Sequence, residues 1–288
     1  MGAAGRSFLP GKDAANGDSP APRRPLVLLH GFMQNGHAWD DVAPLLSDAG
    51  PVYAPTLAPV DRSHARLDDL ADQAHAAIRR ACAEAGTSAA VVVGYSMGGR
   101  VALALARRYP LDIGLLVLES AGMGPRTEED RAQWAQRNRA WAAHIEELPT
   151  REAVVDWWEE IPLFASQRDA RAEARERQRR MRLSCNKQAL AWTMEEAGAH
   201  TMPLESETVA LLARSPFPVH YVVGEDDAKY GRVARLVGEA GVRVHTLPGG
   251  HNVHMEHPEA FASCVKACIA QGAQANGRAD SDFSGIFR

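Results

Sequence analysis

The decapeptide VVVGYSMGGR at 91–100 limits the possible folds of this chain more than any other stretch. Three β-branched residues run directly into Gly94-Tyr95-Ser96-Met97-Gly98, and the amphipathic pattern MGGRVALALARRYP at 97–110 follows without a spacer. A strand that turns into a helix around one residue forces that residue into strained backbone angles. The positions two before and two after must lack bulk so that strand and helix can close on each other. Gly94 and Gly98 supply that room, and G-x-S-x-G between strand and helix is the pattern of a nucleophile elbow. Such a turn lifts the Ser96 hydroxyl to the top of a sheet and aims the Met97 N–H into the same space from the first helical turn.

The elbow needs a sheet around it. Short runs at 25–30 (PLVLLH), 51–55 (PVYAP), 89–94 (AAVVVG), 113–119 (IGLLVLE), 218–224 (PVHYVVG) and 242–249 (VRVHTLPG) read as strands, apolar without alternation, as strands covered on both faces are. Helical patterns at 66–86, 97–110 and 258–272 lie between them. Strands alternating with helices predict the α/β class, a mostly parallel sheet with helices on both faces. From 125 to 203 no strand signal occurs and the composition favours helix, so this region reads as a helical lid inserted over the carboxyl ends of the strands. The core then comprises 25–124 and 204–271, while 1–24 and 272–288 lack periodicity and read as disordered tails.

Composition narrows the function classes. A net charge of -4 offers no long-range attraction to phosphate backbones or anionic lipid, so a small molecule is expected as partner rather than nucleic acid or membrane. No apolar run has the length of a signal core or a membrane span, and Cys82, Cys185, Cys264 and Cys268 form no C-x-x-C pair. They read as buried thiols of a cytoplasmic protein. The oligomeric state is left open.

A serine hydroxyl becomes reactive when a histidine takes its proton and a carboxylate orients that histidine. On an elbow fold the acid and the histidine follow the serine, each in a loop after a later strand. GEDDAK places Asp226 and Asp227 past the strand at 218–224, and GGHNVHMEHP places His251 past the next one. Position alone does not separate the two aspartates. The oxyanion hole takes its second N–H from a loop after an early strand, where His30-Gly31 make the Phe32 N–H the candidate donor beside that of Met97. His251, His254 and His257 form H-x-x-H-x-x-H, but no carboxylate or cysteine is placed to complete a zinc site, so no metal is expected there and His254 and His257 read as packing or capping residues. Trp39 reads as packing for the early loop.

With HGF, GYSMGGR, GEDDAK and GGHNVHMEHPEAF in this order, the chain resembles the α/β-hydrolase superfamily from about residue 25 to 271. Within it, LVLESAGMGPRTEEDR, DWWEEIPLFASQ and GHNVHMEHPEAF are similar to the family of 2-succinyl-6-hydroxy-2,4-cyclohexadiene-1-carboxylate synthases of menaquinone biosynthesis. That family performs an elimination that expels pyruvate from a tricarboxylate cyclohexene, using no metal or organic cofactor. The resemblance implies the triad Ser96, Asp227 and His251, with Asp226 left as a turn residue. It implies substrate contacts for Tyr95, Arg100, Arg126, Trp158 and Arg182, and it matches Lys229 to a lysine of no assigned role. Three arginines suit three carboxylates, since the guanidinium fork pairs with a carboxylate through two hydrogen bonds. The other arginines between 168 and 180 read as a solvated helix face balanced by Glu173 and Glu176. At 53–64, YAPTLAPVDRSH departs from the D-x-P-G-H-G turn of most relatives, which bears on substrate fit. The alternative reading is a serine hydrolase of esters, thioesters or carbon–carbon bonds on the same triad.

Overall fold

The computed structural model describes residues 6–8 and 23–284. The strands are β1 (Arg6–Phe8), β2 (Leu26–Leu29), β3 (Val52–Ala54), β4 (Ala90–Tyr95), β5 (Ile113–Glu119), β6 (Val219–Gly224) and β7 (Arg243–Leu247). They form one sheet in the order β1-β3-β2-β4-β5-β6-β7, antiparallel only between β1 and β3. All six expected strands are present.

The lack of alternation has a direct cause, since the sheet carries a separate core on each face. Val27, Leu29 and Val92 point to one side and pack with Leu70 and Ile78 of α2 (Leu67–Ala85), Val101 and Leu105 of α3 (Met97–Arg108) and Val237 of α9 (Ala228–Glu239). Leu26, Leu28, Val91 and Val93 point to the other and pack with Leu46 of α1 (Ala43–Leu46) and with Phe261 and Val265 of α11 (Pro258–Ser284). The inner strands thus need apolar side chains at both parities, whereas the edge strand β7 is largely exposed.

Between β5 and β6 the chain forms α4 (Glu128–Glu147), α5 (Arg151–Glu159), α6 (Ala172–Ser184), α7 (Lys187–Glu196) and α8 (Glu205–Ala213). Thr127, Thr150 and Asn186 cap α4, α5 and α7 through side-chain bonds to the N3 amides, a local reason for these starts. The first four helices build a third apolar cluster around Ile145, Val154, Trp158, Phe164 and Met194, and Met33 from the loop after β2 enters it. This cluster sits over the carboxyl ends of the strands. The neighbours β2 and β4 flank the point where the strand order reverses, where open α/β sheets bind ligands.

Two boundaries differ from expectation. β1 falls inside the expected N-terminal tail, where three residues add to the free edge of β3, and α11 runs to Ser284 rather than stopping near 271. A helix already anchored by Phe261 and Val265 gains one hydrogen bond for each residue added, so the Ala- and Gln-containing stretch extends it without an apolar stripe. The tail expectations for 1–5, 9–22 and 285–288 lie outside the described residues. Among the described residues no helix is long and apolar enough to cross a membrane.

Candidate active site

Ser96 sits between β4 and α3 with φ 50° and ψ −106°, a conformation that L-residues rarely adopt. The flanking glycines are required by contact. A Cβ on Gly94 would lie 2.6 Å from the Gly98 carbonyl oxygen, and one on Gly98 would lie 2.1 Å from that of Leu29. Strand, elbow and neighbouring strand are therefore closer than any side chain permits.

The acid and the histidine arrive from β6 and β7. His251 Nδ1 lies 2.8 Å from Asp227 Oδ2, and His251 Nε2 lies 3.1 Å from Ser96 Oγ. With the carboxylate accepting from Nδ1–H, the Nε2 lone pair is left to receive the serine proton. Asp227 is 5% exposed, and its second oxygen accepts the Tyr230 amide at the start of α9. Asp226 is exposed, so the structure separates the two aspartates where position in sequence did not.

The loop after β2 closes the other side. His30 is fully buried and neutral, since burial lowers it to about 4; its Nδ1 lies 2.8 Å from the Gly31 carbonyl, and its Nε2 accepts the Leu57 amide at 2.9 Å. That bond fastens the unusual 53–64 turn to the site, and Arg62 of the same turn pairs with Glu195 and Glu196 at the end of α7. The rewritten loop is therefore a brace between core and lid. Met97 opens α3, so its N–H is among those without an intrahelical carbonyl. Phe32 and Met97 both line a small cavity of about 170 Å³ between this loop and the lid. A second cavity, about 620 Å³, is lined by His251 and Asp227 together with Leu163, Ser166 and Lys229.

The remaining expected residues divide. Tyr95 is buried beneath the loop, so close that a Cβ on Gly31 would lie 2.6 Å from its ring, and its centroid lies 5.4 Å from that of His251. It is a floor for the histidine. Trp158, rather than its neighbour Trp157, joins an aromatic wall in which Phe32 lies 4.9 Å from Trp158, Phe164 5.3 Å from Trp158 and His251 5.9 Å from Phe164. Arg182 is 5% exposed, stands over the Phe164 ring and donates to Glu159 at 2.9 Å and Gln167 at 3.0 Å, while its Nε has no partner among the described residues. Burial lowers its affinity for the proton and Glu159 partly restores it. Arg100 donates to the Ala197 carbonyl at 3.1 Å and interacts with Tyr230, whose ring lies 4.7 Å from His251. It also lines a cavity that contains no triad residue.

Arg126 differs from the buried arginines. Its side chain is 61% exposed and pairs with Asp130 one turn later. An acid at i+4 at the start of α4 is a nearer partner than any buried group. The arginines read as a solvated face are mostly ion-paired: Arg168 with Glu160, Arg177 with Asp41, Arg179 with Asp156 and Glu159, and Arg180 with Glu176.

Three features, built from six residues, lacked a strong sequence signal. Phe164 carries the wall between Trp158 and His251. Ser166 donates to Glu256, which accepts the Gly250 amide beside the histidine and so docks the lid on the catalytic loop. Gln34, Gln178 and Gln167 form a buried amide chain from the Gly31 N–H to Arg182. Only PLFASQ at 162–167, one of the stretches carrying the family resemblance, pointed to this region.

Comparison with known proteins bears on the family and the fold. The family model described as the alpha/beta hydrolase family matches residues 26–263. A protein of Klebsiella pneumoniae (strain 342) named 2-succinyl-6-hydroxy-2,4-cyclohexadiene-1-carboxylate synthase is 30% identical over 88% of this chain and 96% of its own. One of the same name from Enterobacter sp. (strain 638) is 29% identical over 83% and 89%. Among solved structures, MenH from S. aureus superposes with a TM-score of 0.81 at 22% identity, covering 93% of this chain and 98% of that one. A thermophilic esterase from Thermogutta terrifontis gives 0.73 at 24% identity, covering 93% of each. At these identities the structural likenesses establish the fold.

Proposed function

The chain belongs to the alpha/beta hydrolase family, and within it we propose that this protein is a carbon–oxygen lyase that eliminates pyruvate from 2-succinyl-5-enolpyruvyl-6-hydroxy-3-cyclohexene-1-carboxylate. The product is 2-succinyl-6-hydroxy-2,4-cyclohexadiene-1-carboxylate, and the reaction belongs to menaquinone biosynthesis. One observation carries the reading. The Ser96–His251–Asp227 relay shares an aromatic wall with Arg182, a buried cation that a neutral ester does not require.

In this mechanism His251, oriented by Asp227, draws the proton from Ser96, and the Ser96 oxygen removes the ring proton α to the succinyl ketone. The electron pair moves into the ketone, giving an enolate oxygen that accepts hydrogen bonds from the Phe32 and Met97 amides. Collapse of this dienolate breaks the carbon–oxygen bond to the enolpyruvyl group. His251 returns the proton, and the expelled enolpyruvate tautomerises to pyruvate. Ser96 acts as a base, so no acyl-enzyme forms. Tyr95 and Trp158 hold the imidazole and the ring in register, while Arg182 and Arg100 meet carboxylates. The partner is a small anionic substrate.

The test is to supply the purified protein with the enolpyruvyl cyclohexene and follow pyruvate. Release at an enzymatic rate, with nitrophenyl esters turned over far more slowly, is the expected result. Fast ester turnover with the tricarboxylate untouched would overturn the lyase assignment and select a serine hydrolase on the same triad.

A further inference from the structure

A second cluster of reactive side chains lies on the same sheet, away from the catalytic end. His220, the second residue of β6, and His245, the third of β7, stack with centroids 5.2 Å apart and with Nδ1 of the first 2.9 Å from Nε2 of the second. The same Nε2 lies 3.6 Å from Cys268 Sγ on α11. One ligand-capable atom from each of His220, His245 and Cys268 lies within 4.8 Å of the other two. Cys264 lies one turn earlier on the same helix. We infer that His220, His245 and Cys268 form a binding site for zinc(II), which clips the edge strand β7 and its neighbour β6 to α11.

Tetrahedral zinc with Zn–N near 2.0–2.1 Å and Zn–S near 2.3 Å holds its ligand atoms about 3.3–3.8 Å apart. The 3.6 Å from His245 to Cys268 falls in that range and the 2.9 Å between the two ring nitrogens is shorter, so admitting the ion requires the imidazoles to part by a few tenths of an ångström. A thiolate and two imidazoles suit a borderline-soft cation and disfavour the oxygen-seeking ions magnesium and calcium. His220 is completely buried, and its Nε2 has no hydrogen-bond partner among the described residues. As the ring stands Nδ1 faces the cluster, and a ring flip brings Nε2 toward it instead.

A cavity of about 300 Å³ lined by Pro218, His220, Arg243 and Gln271 reaches the cluster and provides a path of entry. Three protein ligands leave the fourth position to water, and the ion's part is to tie the two strands to the helix. The triad lies beyond the opposite ends of β6 and β7, and catalysis does not depend on the ion.

The experiment uses the untagged full chain, reduced and stripped with EDTA. Cobalt(II) should be taken up at one equivalent, with the sulfur-to-metal charge-transfer band and intense visible bands of tetrahedral thiolate coordination. Saturating zinc should displace it and raise Tm by about 5 °C or more, while pyruvate release at room temperature stays unchanged. Cys268→Ala, a small apolar replacement that should leave the metal-free fold intact, and His220→Gln should each abolish the cobalt spectrum and the zinc-dependent part of Tm. Absence of stoichiometric uptake by the wild-type chain would overturn the site. So would uptake that survives both substitutions, or a loss of Tm in Cys268→Ala that is the same with and without zinc.

Discussion

Two imidazole–carboxylate pairs stand three residues apart in this molecule, and they do different things. His251 Nδ1 meets Asp227 at 2.8 Å, and His254 Nδ1 meets Glu119 at 2.7 Å, both pairs out of contact with solvent. Each carboxylate also accepts a backbone amide, that of Tyr230 for Asp227 and that of His254 itself for Glu119. The difference lies at the far nitrogen. His251 Nε2 faces Ser96 Oγ, whereas His254 Nε2 finds no partner among the described residues, and its ring stacks on Trp39 at 4.1 Å. Burial and a carboxylate make an oriented imidazole, and only a nucleophile at its other end makes a proton relay.

The largest expected effects break this comparison from the catalytic side. Ser96→Ala and His251→Ala should each lower kcat by about a thousandfold or more while melting within a few degrees of wild type, because the pair acts as one unit. Asp227→Asn should fall nearly as far, and Asp226→Asn should remain close to wild type. Steady-state pyruvate release and a thermal melt on each variant check this. Wild-type turnover in Ser96→Ala would end the relay as the source of activity.

The next effect in size belongs to the second pair and should appear in stability. His254→Ala leaves the Glu119 carboxylate buried without its partner, which should cost about 3 kcal/mol. The double change Glu119→Gln with His254→Gln, which puts two neutral amides in place of the pair, should recover part of that loss. Denaturant unfolding of the three variants measures it. A His254→Ala protein as stable as wild type but devoid of activity would make His254 a member of the relay and erase the distinction between the pairs.

The sequence made the first pair legible and left the second hidden, for a physical reason. Ser96, His251 and an aspartate lie at strand ends marked by glycine, and glycine there answers a backbone contact that any side chain would block. Glu119 ends a continuously apolar strand and carries no such mark. Nothing in the spacing of 119 and 254 tells that they touch. The same limit applied to His220, His245 and Cys268, which are unremarkable in sequence and adjacent only because β6, β7 and α11 stack. The two-sided sheet was readable because both parities of the inner strands are apolar, whereas the way the lid docks, through Ser166 on Glu256 and the glutamine chain to Arg182, depends on packing between segments 90 and 144 residues apart.

The arginines extend the comparison to the substrate, again as oriented groups that differ in what they face. Arg182→Ala should lower kcat/KM by about 2–3 kcal/mol, since it removes a desolvated cation from the wall of the relay; lysine should restore only part, lacking the two-pronged geometry. Arg100→Ala, whose guanidinium already satisfies the Ala197 carbonyl, should lose about 1–2 kcal/mol.

Arg126 should matter least. It is exposed and held by Asp130, and an ion pair in water contributes little, so Arg126→Ala should change kcat/KM by less than about twofold. Salt gives the sharper reading, because screening weakens an exposed cation far more than a desolvated one. If Arg126 only adds to the general field, its small effect should vanish at high salt, while the Arg182→Ala deficit persists. If instead Arg126→Ala loses as much as Arg182→Ala, and the loss survives high salt, then a substrate carboxylate draws Arg126 away from Asp130 into a desolvated site. The three-arginine clamp expected from the family resemblance would then form only when the lid is engaged by its ligand.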